Sequence, residues 1–142
     1  MQVQDYLTIS KYFDCCWTGN KDELRNLFDS GAKHLHIHSK VVDEENDVWE
    51  EIDDNHDNCV REVNDVDNIM SEYEFFFQTT DLKSTIVRQL EFYPGENDHE
   101  IVTYYYLTQE KQSVKYEFRI RQTFVLTPEF KIQTLKMEVE KQ

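Results

Sequence analysis

His34, His36 and His38 are the residues of this chain best spaced for metal chemistry. In an extended strand they share one face, with about 7 Å between neighbours. A His-x-His pair can grip one metal ion when another strand supplies a third ligand. The alternating residues Leu35 and Ile37 claim the core side of the same strand. That leaves the histidines on the sheet's other face, lining a dimer interface or meeting water. A ligand set must converge from several elements, which one strand alone does not provide, so no metal site is expected.

Asp53-Asp54-Asn55-His56-Asp57-Asn58 opens like a calcium-binding loop. Asn58 stands where such a loop needs glycine, and Asn64 where it needs a bidentate glutamate. The run therefore reads as a solvated acidic loop with weak, nonspecific affinity for divalent cations. The sharper alternative is a docking surface for a basic protein partner. Cys59 near His56 does not make a nucleophilic pair. Cys15 and Cys16 fall on an aromatic-rich helix and are expected to be buried structural thiols. Three cysteines with no framework spacing predict reduced thiols and a cytoplasmic location. Glycine occurs only at positions 19, 31 and 95. That is too few for a phosphate-cradling loop or a dinucleotide fingerprint, so no cofactor is expected.

Charge narrows the partners. The chain holds 29 acids and 15 bases, a formal net charge of -14. This argues against nucleic-acid binding, which uses a basic footprint, and against docking on anionic membrane. No run of about 18 apolar residues is present to cross a bilayer. The opening residues, with Asp5 and no apolar run, do not read as a secretory signal. Fourteen acids and a single base, Arg61, lie in residues 41–74, a net -13 that leaves -1 for the rest of the chain. No Pro/Gly/Ser-rich linker isolates that stretch. The expectation is one domain over 1–142 carrying an acidic segment at 41–74.

The elements that would position these groups follow from periodicity. Tyr6, Ile9, Phe13, Cys16 and Trp17 step by three and four, which predicts a helix over 2–17 ending at Thr18-Gly19. Asn20 caps a second helix, with Glu23 as its capping-box partner and Leu24, Leu27 and Phe28 as its buried stripe. Gly31 is read as that helix's left-handed stop. Residues 33–38 form a strand. Val48, Trp49 and Ile52 tack down the acidic stretch. A helix runs from Asn58 through Val60, Val63, Val66, Ile69, Tyr73 and Phe77, with Asp53, Asp54 and Asp57 near its positive end. After Asp81 the period becomes two, predicting strands at 86–93, 101–108, 114–126 and 131–140. Val114, Tyr116, Phe118, Ile120, Gln122 and Phe124 share one face of the third. A change of phase at Gln133-Thr134 marks a bulge in the last.

Helix, helix, strand, helix and four antiparallel strands is an order similar to the nuclear-transport-factor-2-like (SnoaL-like, cystatin-like) superfamily. Tyr12-Phe13-Asp14-x-x-Trp17-x-Gly19-Asn20-x-x-x-Leu24-x-x-Leu27-Phe28 resembles that family's opening helices, and Phe124-x-Leu126-x-x-x-Phe130-x-Ile132-x-x-Leu135 its closing hairpin. Two features depart from it: the acidic stretch after the first strand, and Pro128-Glu129 where the hairpin usually turns on glycine. The resemblance implies an α+β cone, a curved antiparallel sheet against three helices. It also implies a homodimer and a pocket for a small apolar or aromatic ligand, but no single activity. Such a pocket is lined by the concave sheet face and the first helix. Here that means Tyr6, Phe13, Trp17, Tyr104 or Tyr105, Tyr116, Phe118, Ile120 and Gln122. A buried Tyr or Asp there could polarise a ligand carbonyl or take a proton. Asp14 is the acid nearest the first helix's stripe, and no catalytic residue is assigned. The first reading is a ligand-binding pocket protein; a protein-interaction module and an isomerase or dehydratase are the alternatives.

Overall fold

The computed structural model describes residues 2–39, 58–111 and 113–141. Helix α1 spans Val3–Thr18 and buries Asp5, Thr8, Ile9, Tyr12, Phe13 and Cys15, the three-and-four spacing of one face. The backbone N–H of Gln2 donates to Asp5 Oδ2 at 2.9 Å, closing the first turn. Gly19, at φ 71°, ends the helix in the left-handed conformation that glycine adopts without strain. Asn20 caps α2 (Lys21–Asn26) by accepting from the Glu23 N–H at 3.2 Å, and Leu24 is fully buried.

Two expectations fail between residues 28 and 66. Gly31 is no helix stop: the chain enters strand β1 (Phe28–Ser39) at Phe28, because Leu27 already ends α2. Residues 58–64 are a strand, β2 (Asn58–Asn64), rather than the start of a helix. They pair antiparallel with β1, from Lys33 opposite Asn64 to Ser39 opposite Asn58. Val60, Val63 and Val66 fit a helical step in sequence, but pairing with β1 overrides it. Asp65, at φ 72°, turns the chain and α3 begins at Val66, running to Thr79. Residues 40–57 lie outside the described residues. With them go the Val48, Trp49 and Ile52 contacts, the calcium-like run up to Asp57, and the expected positions of Asp53, Asp54 and Asp57.

The period-two region forms as read: β3 (Ile86–Pro94), β4 (Glu100–Lys111), β5 (Val114–Leu126) and β6 (Ile132–Lys141). The sheet order is β2-β1-β6-β5-β4-β3. β1 runs parallel to β6 and every other neighbouring pair is antiparallel. Val125 pairs with Thr134 and Leu126 with Ile132, so Gln133 is the bulged residue. The architecture is α+β, a curved, unclosed six-stranded sheet with three helices.

The core lies between α1, α3 and the concave face. Ile9, Ile69, Ile101, Phe124, Ile132 and Leu135 are fully buried. Burying one side chain of this size stabilises the fold by about 1.5–3 kcal/mol. Acidic α3 is tied to α2 at the surface through Lys21–Glu74 at 3.1 Å and Arg25–Asp67. Exposed pairs of this kind contribute about 1 kcal/mol or less each.

Candidate functional site

A cavity of about 370 Å³ opens between α1, α3 and the concave sheet face. From α1 come Tyr12, Phe13, Cys16 and Trp17; from α3, Glu72, Tyr73, Phe75, Phe76 and Thr79. Strands β4, β5 and β6 add Tyr105, Leu107, Phe118, Ile120, Gln122 and Met137, and β1 adds His34 and His36. The surfaces are largely aromatic and aliphatic, as in sites that enclose organic ligands. Trp17 and Phe75 reach the rim and are exposed.

Polar groups gather where α1, α3, β4 and β5 meet. The Tyr105 hydroxyl donates to Gln122 Oε1 at 2.8 Å. Gln122 Nε2 donates to the Tyr12 oxygen at 3.2 Å, and the Tyr12 and Tyr73 hydroxyls lie 2.5 Å apart. Register explains the arrangement. Gln122 interrupts the apolar face Phe118–Ile120–Phe124, and a buried amide needs partners. One residue's worth of chain direction separates the inward Tyr105 from the outward Tyr104 and Tyr106.

Burial, joined by the nearby Cys16 thiol, pushes Tyr12, Tyr73 and Tyr105 well above the ordinary tyrosine range. All three stay protonated near neutral pH. Burial also pushes Cys16 up to about 12, partly offset by a hydrogen bond with Tyr12. The cluster is neutral and offers hydroxyl donors, not a base. Tyr12 and Tyr73 bring two hydroxyl protons, while the described network joins them by one hydrogen bond. If Tyr12 donates to Tyr73, the Tyr73 proton is left to point elsewhere. If Tyr73 donates, the Tyr12 proton has only the Cys16 sulfur, a weak acceptor.

On the opposite side, Tyr73, His34 and His36 form a stack with ring centroids 6.0 and 5.8 Å apart. This overturns the expected facing of β1. Ala32 and His34 are buried, and Leu35 and Ile37 are only half-buried on the other side. A register shift between Phe28 and Lys33 sets the phase, and a shift of one residue exchanges the two faces of a strand. Burial, with the positive charge of Arg61 second, lowers His34 to about 4, so it is neutral at pH 7. Among the described residues no three His, Cys, Asp or Glu side chains converge as a metal set. At the rim, Arg61 and Glu72 pair at 2.9 Å.

The residues singled out from sequence divide. Phe13, Trp17, Phe118, Ile120 and Gln122 line the cavity, with Tyr105 rather than Tyr104. Tyr104 stands on the outer face under the Arg121 guanidinium. Tyr6 is exposed and its ring lies 4.9 Å from Phe92, outside the cavity. Tyr116 is half-buried further along β5 and is not a lining residue. Asp14 is exposed. Sequence reasoning did not single out Tyr12, Tyr73, His34 and His36 as lining residues. The signal available was the lone Gln122 in an apolar face, which demands buried hydroxyl partners.

No protein-family model matches the sequence, and no curated protein does. Solved structures do match. An NTF2-like protein of unknown function from Exiguobacterium sp. 255-15 aligns at 14% identity and TM-score 0.62, over 92% of this chain and 95% of that one. A Mycobacterium tuberculosis protein solved in complex with estradiol-17beta-hemisuccinate aligns at 12% identity and TM-score 0.64, over 96% and 93%. The epoxide hydrolase/cyclase-like enzyme SalBIII of pyran ring formation in salinomycin aligns at 12% identity and TM-score 0.61, over 95% and 89%. The chain has the cone fold of the nuclear-transport-factor-2-like (SnoaL-like, cystatin-like) superfamily.

Proposed function

We propose that this chain binds a small, largely apolar organic molecule inside the cone, and that a hydrogen-bond acceptor on the ligand meets the Tyr12–Tyr73 hydroxyl pair. The observation that carries this reading is the pair of hydroxyls 2.5 Å apart, whose second proton has no oxygen acceptor among the described residues, beside a cavity of mostly apolar lining. A carbonyl oxygen accepts that proton better than a thiol sulfur does. Binding of estradiol-17beta-hemisuccinate by the Mycobacterium tuberculosis protein of the same fold is in keeping with it.

Proton-transfer catalysis is less well supported. Among the described residues the acid lining the cavity is Glu72, which is held by Arg61. His34, lowered to about 4, is a weak base at neutral pH. The reading is tested by titrating the protein with naphthalene and 2-acetylnaphthalene, following quenching of Trp17, with Trp17→Phe as control. The ketone should bind about tenfold more tightly, and the Tyr12→Phe/Tyr73→Phe double variant, which removes both hydroxyl protons, should remove most of that gain. Equal affinity for the two compounds would discard the role of the hydroxyl pair.

The same proposal takes the protein to be a homodimer through the outer sheet face. There Tyr93, Tyr104 and Tyr106 stand beside Arg88 and Arg121, with no helix covering them among the described residues. Light scattering at micromolar concentration should give twice the 17.2 kDa chain mass; a monomer would refute it.

A further inference from the structure

His34 is more than nine-tenths buried beside the cavity, and its Nε2 meets no hydrogen-bond partner among the described residues. A polar nitrogen removed from water without a partner costs free energy until something pairs with it. Resting on the pocket reading, we infer that the cavity is built for a ligand with two polar groups, an acceptor oxygen at Tyr12 and Tyr73 and a hydroxyl at His34.

A hydroxyl is the group that fits. It both donates and accepts, so it pairs with either neutral tautomer of the imidazole. A carboxylate does not fit. Burial and Arg61 keep His34 uncharged at neutral pH, and the groups at the hydroxyl cluster are neutral. Arg61, the cation among the described lining residues, is already paired with Glu72 at 2.9 Å, so a buried anion there would be desolvated without a free counter-charge. The scaffold between the two ends is aromatic. Phe13, Phe76 and Phe118 line the cavity, and Tyr73 stacks on His34 with an interplanar angle of 24°. The ligand class is therefore a neutral aryl ketone, or similar acceptor, that also carries a hydroxyl. The Nε2 atom is closed off from solvent. Pairing requires a turn of the ring about its Cβ–Cγ bond toward the cavity it lines.

The test is a matched set of probes: 2-acetylnaphthalene, 6-acetyl-2-naphthol and 6-hydroxy-2-naphthoic acid. The hydroxy ketone should bind about tenfold more tightly than the plain ketone, the worth of one net hydrogen bond. His34→Phe keeps the ring and removes the nitrogen. It should erase that tenfold gain, so that 6-acetyl-2-naphthol and 2-acetylnaphthalene bind the variant with equal affinity. The naphthoic acid should bind more weakly than the hydroxy ketone. Should His34→Phe fail to fold, nitrogen NMR of His34 in the unaltered protein gives a second readout. Its Nε2 resonance should move with 6-acetyl-2-naphthol and stay in place with 2-acetylnaphthalene. A gain that is absent, or that survives His34→Phe, overturns the role of His34 while ketone binding keeps the pocket reading standing. Equal binding of the acid overturns the neutral class. If none of the three probes binds, the pocket reading falls and takes this inference with it.

Discussion

Gln122→Leu is the sharpest perturbation of the buried hydroxyl cluster. Gln122 is 1% exposed, accepts from Tyr105 at 2.8 Å and donates to Tyr12 at 3.2 Å. Leucine preserves much of the volume and removes both bonds. Each is worth about 1 kcal/mol net, and the Tyr105 hydroxyl is then stranded, costing about 1–3 kcal/mol. Tyr12 keeps its bond to Tyr73, and burying leucine instead of an amide returns part of the loss. The expected outcome is a destabilisation of about 2–3 kcal/mol, read as a lower urea midpoint at constant slope. Adding Tyr105→Phe removes the stranded hydroxyl. The double variant should be about 1 kcal/mol more stable than Gln122→Leu alone. A single-variant effect below about 0.5 kcal/mol, well under the hydrogen-bond ledger, or strict additivity in the double, would show that these groups are not a satisfied buried network.

Asp5 is fully buried, bonded to the Gln2 N–H and 2.9 Å from His99 Nδ1. Asp5→Ala should cost about 3 kcal/mol and visibly lower the melting temperature, with Asp5→Asn costing less because it keeps a cap acceptor. His34 titrates lower in the folded chain than in the unfolded one, about 4 against 6.5. As pH falls below 6.5 the unfolded chain takes up that proton first, so stability falls, and the loss is complete below about 4. Between pH 7 and 4 the protein should lose about 3 kcal/mol more than His34→Phe does; parallel pH curves would contradict this. Burial raises both Cys15 and Cys16, so a thiol reagent at pH 8 should label them slowly in the native state and quickly in urea.

Much of the fold can be read from particular residues. Alternation along Val114–Leu126 gives both faces of β5, and the phase change at Gln133 gives the bulge of β6, because a half-buried strand must keep its apolar set on one side. The facing of β1 is not legible in this way. His-Leu-His-Ile-His satisfies either phase, and the choice is made by the shift before Lys33 and by pairing with β2 and β6. Residues 58–64 mislead for a related reason. Short apolar spacings fit both periods, and a partner strand remote in sequence decides between them. At the site, Phe13, Trp17 and Gln122 follow from helix and strand phase. Tyr12 and Tyr73 read as plain core because a tyrosine's ring packs like any apolar group. Only the three-dimensional meeting of α1, α3 and β5 shows that their hydroxyls converge.

The central claim is that the cone holds an organic ligand against the Tyr12–Tyr73 pair. A crystal structure of the protein with 2-acetylnaphthalene tests it most directly. The account predicts the naphthalene rings among Phe13, Phe76 and Phe118, with the ketone oxygen about 3 Å from the Tyr12 or Tyr73 oxygen. Rings bound on the outer sheet face, or a ketone turned toward the Trp17 rim with both hydroxyls left to each other, would contradict it.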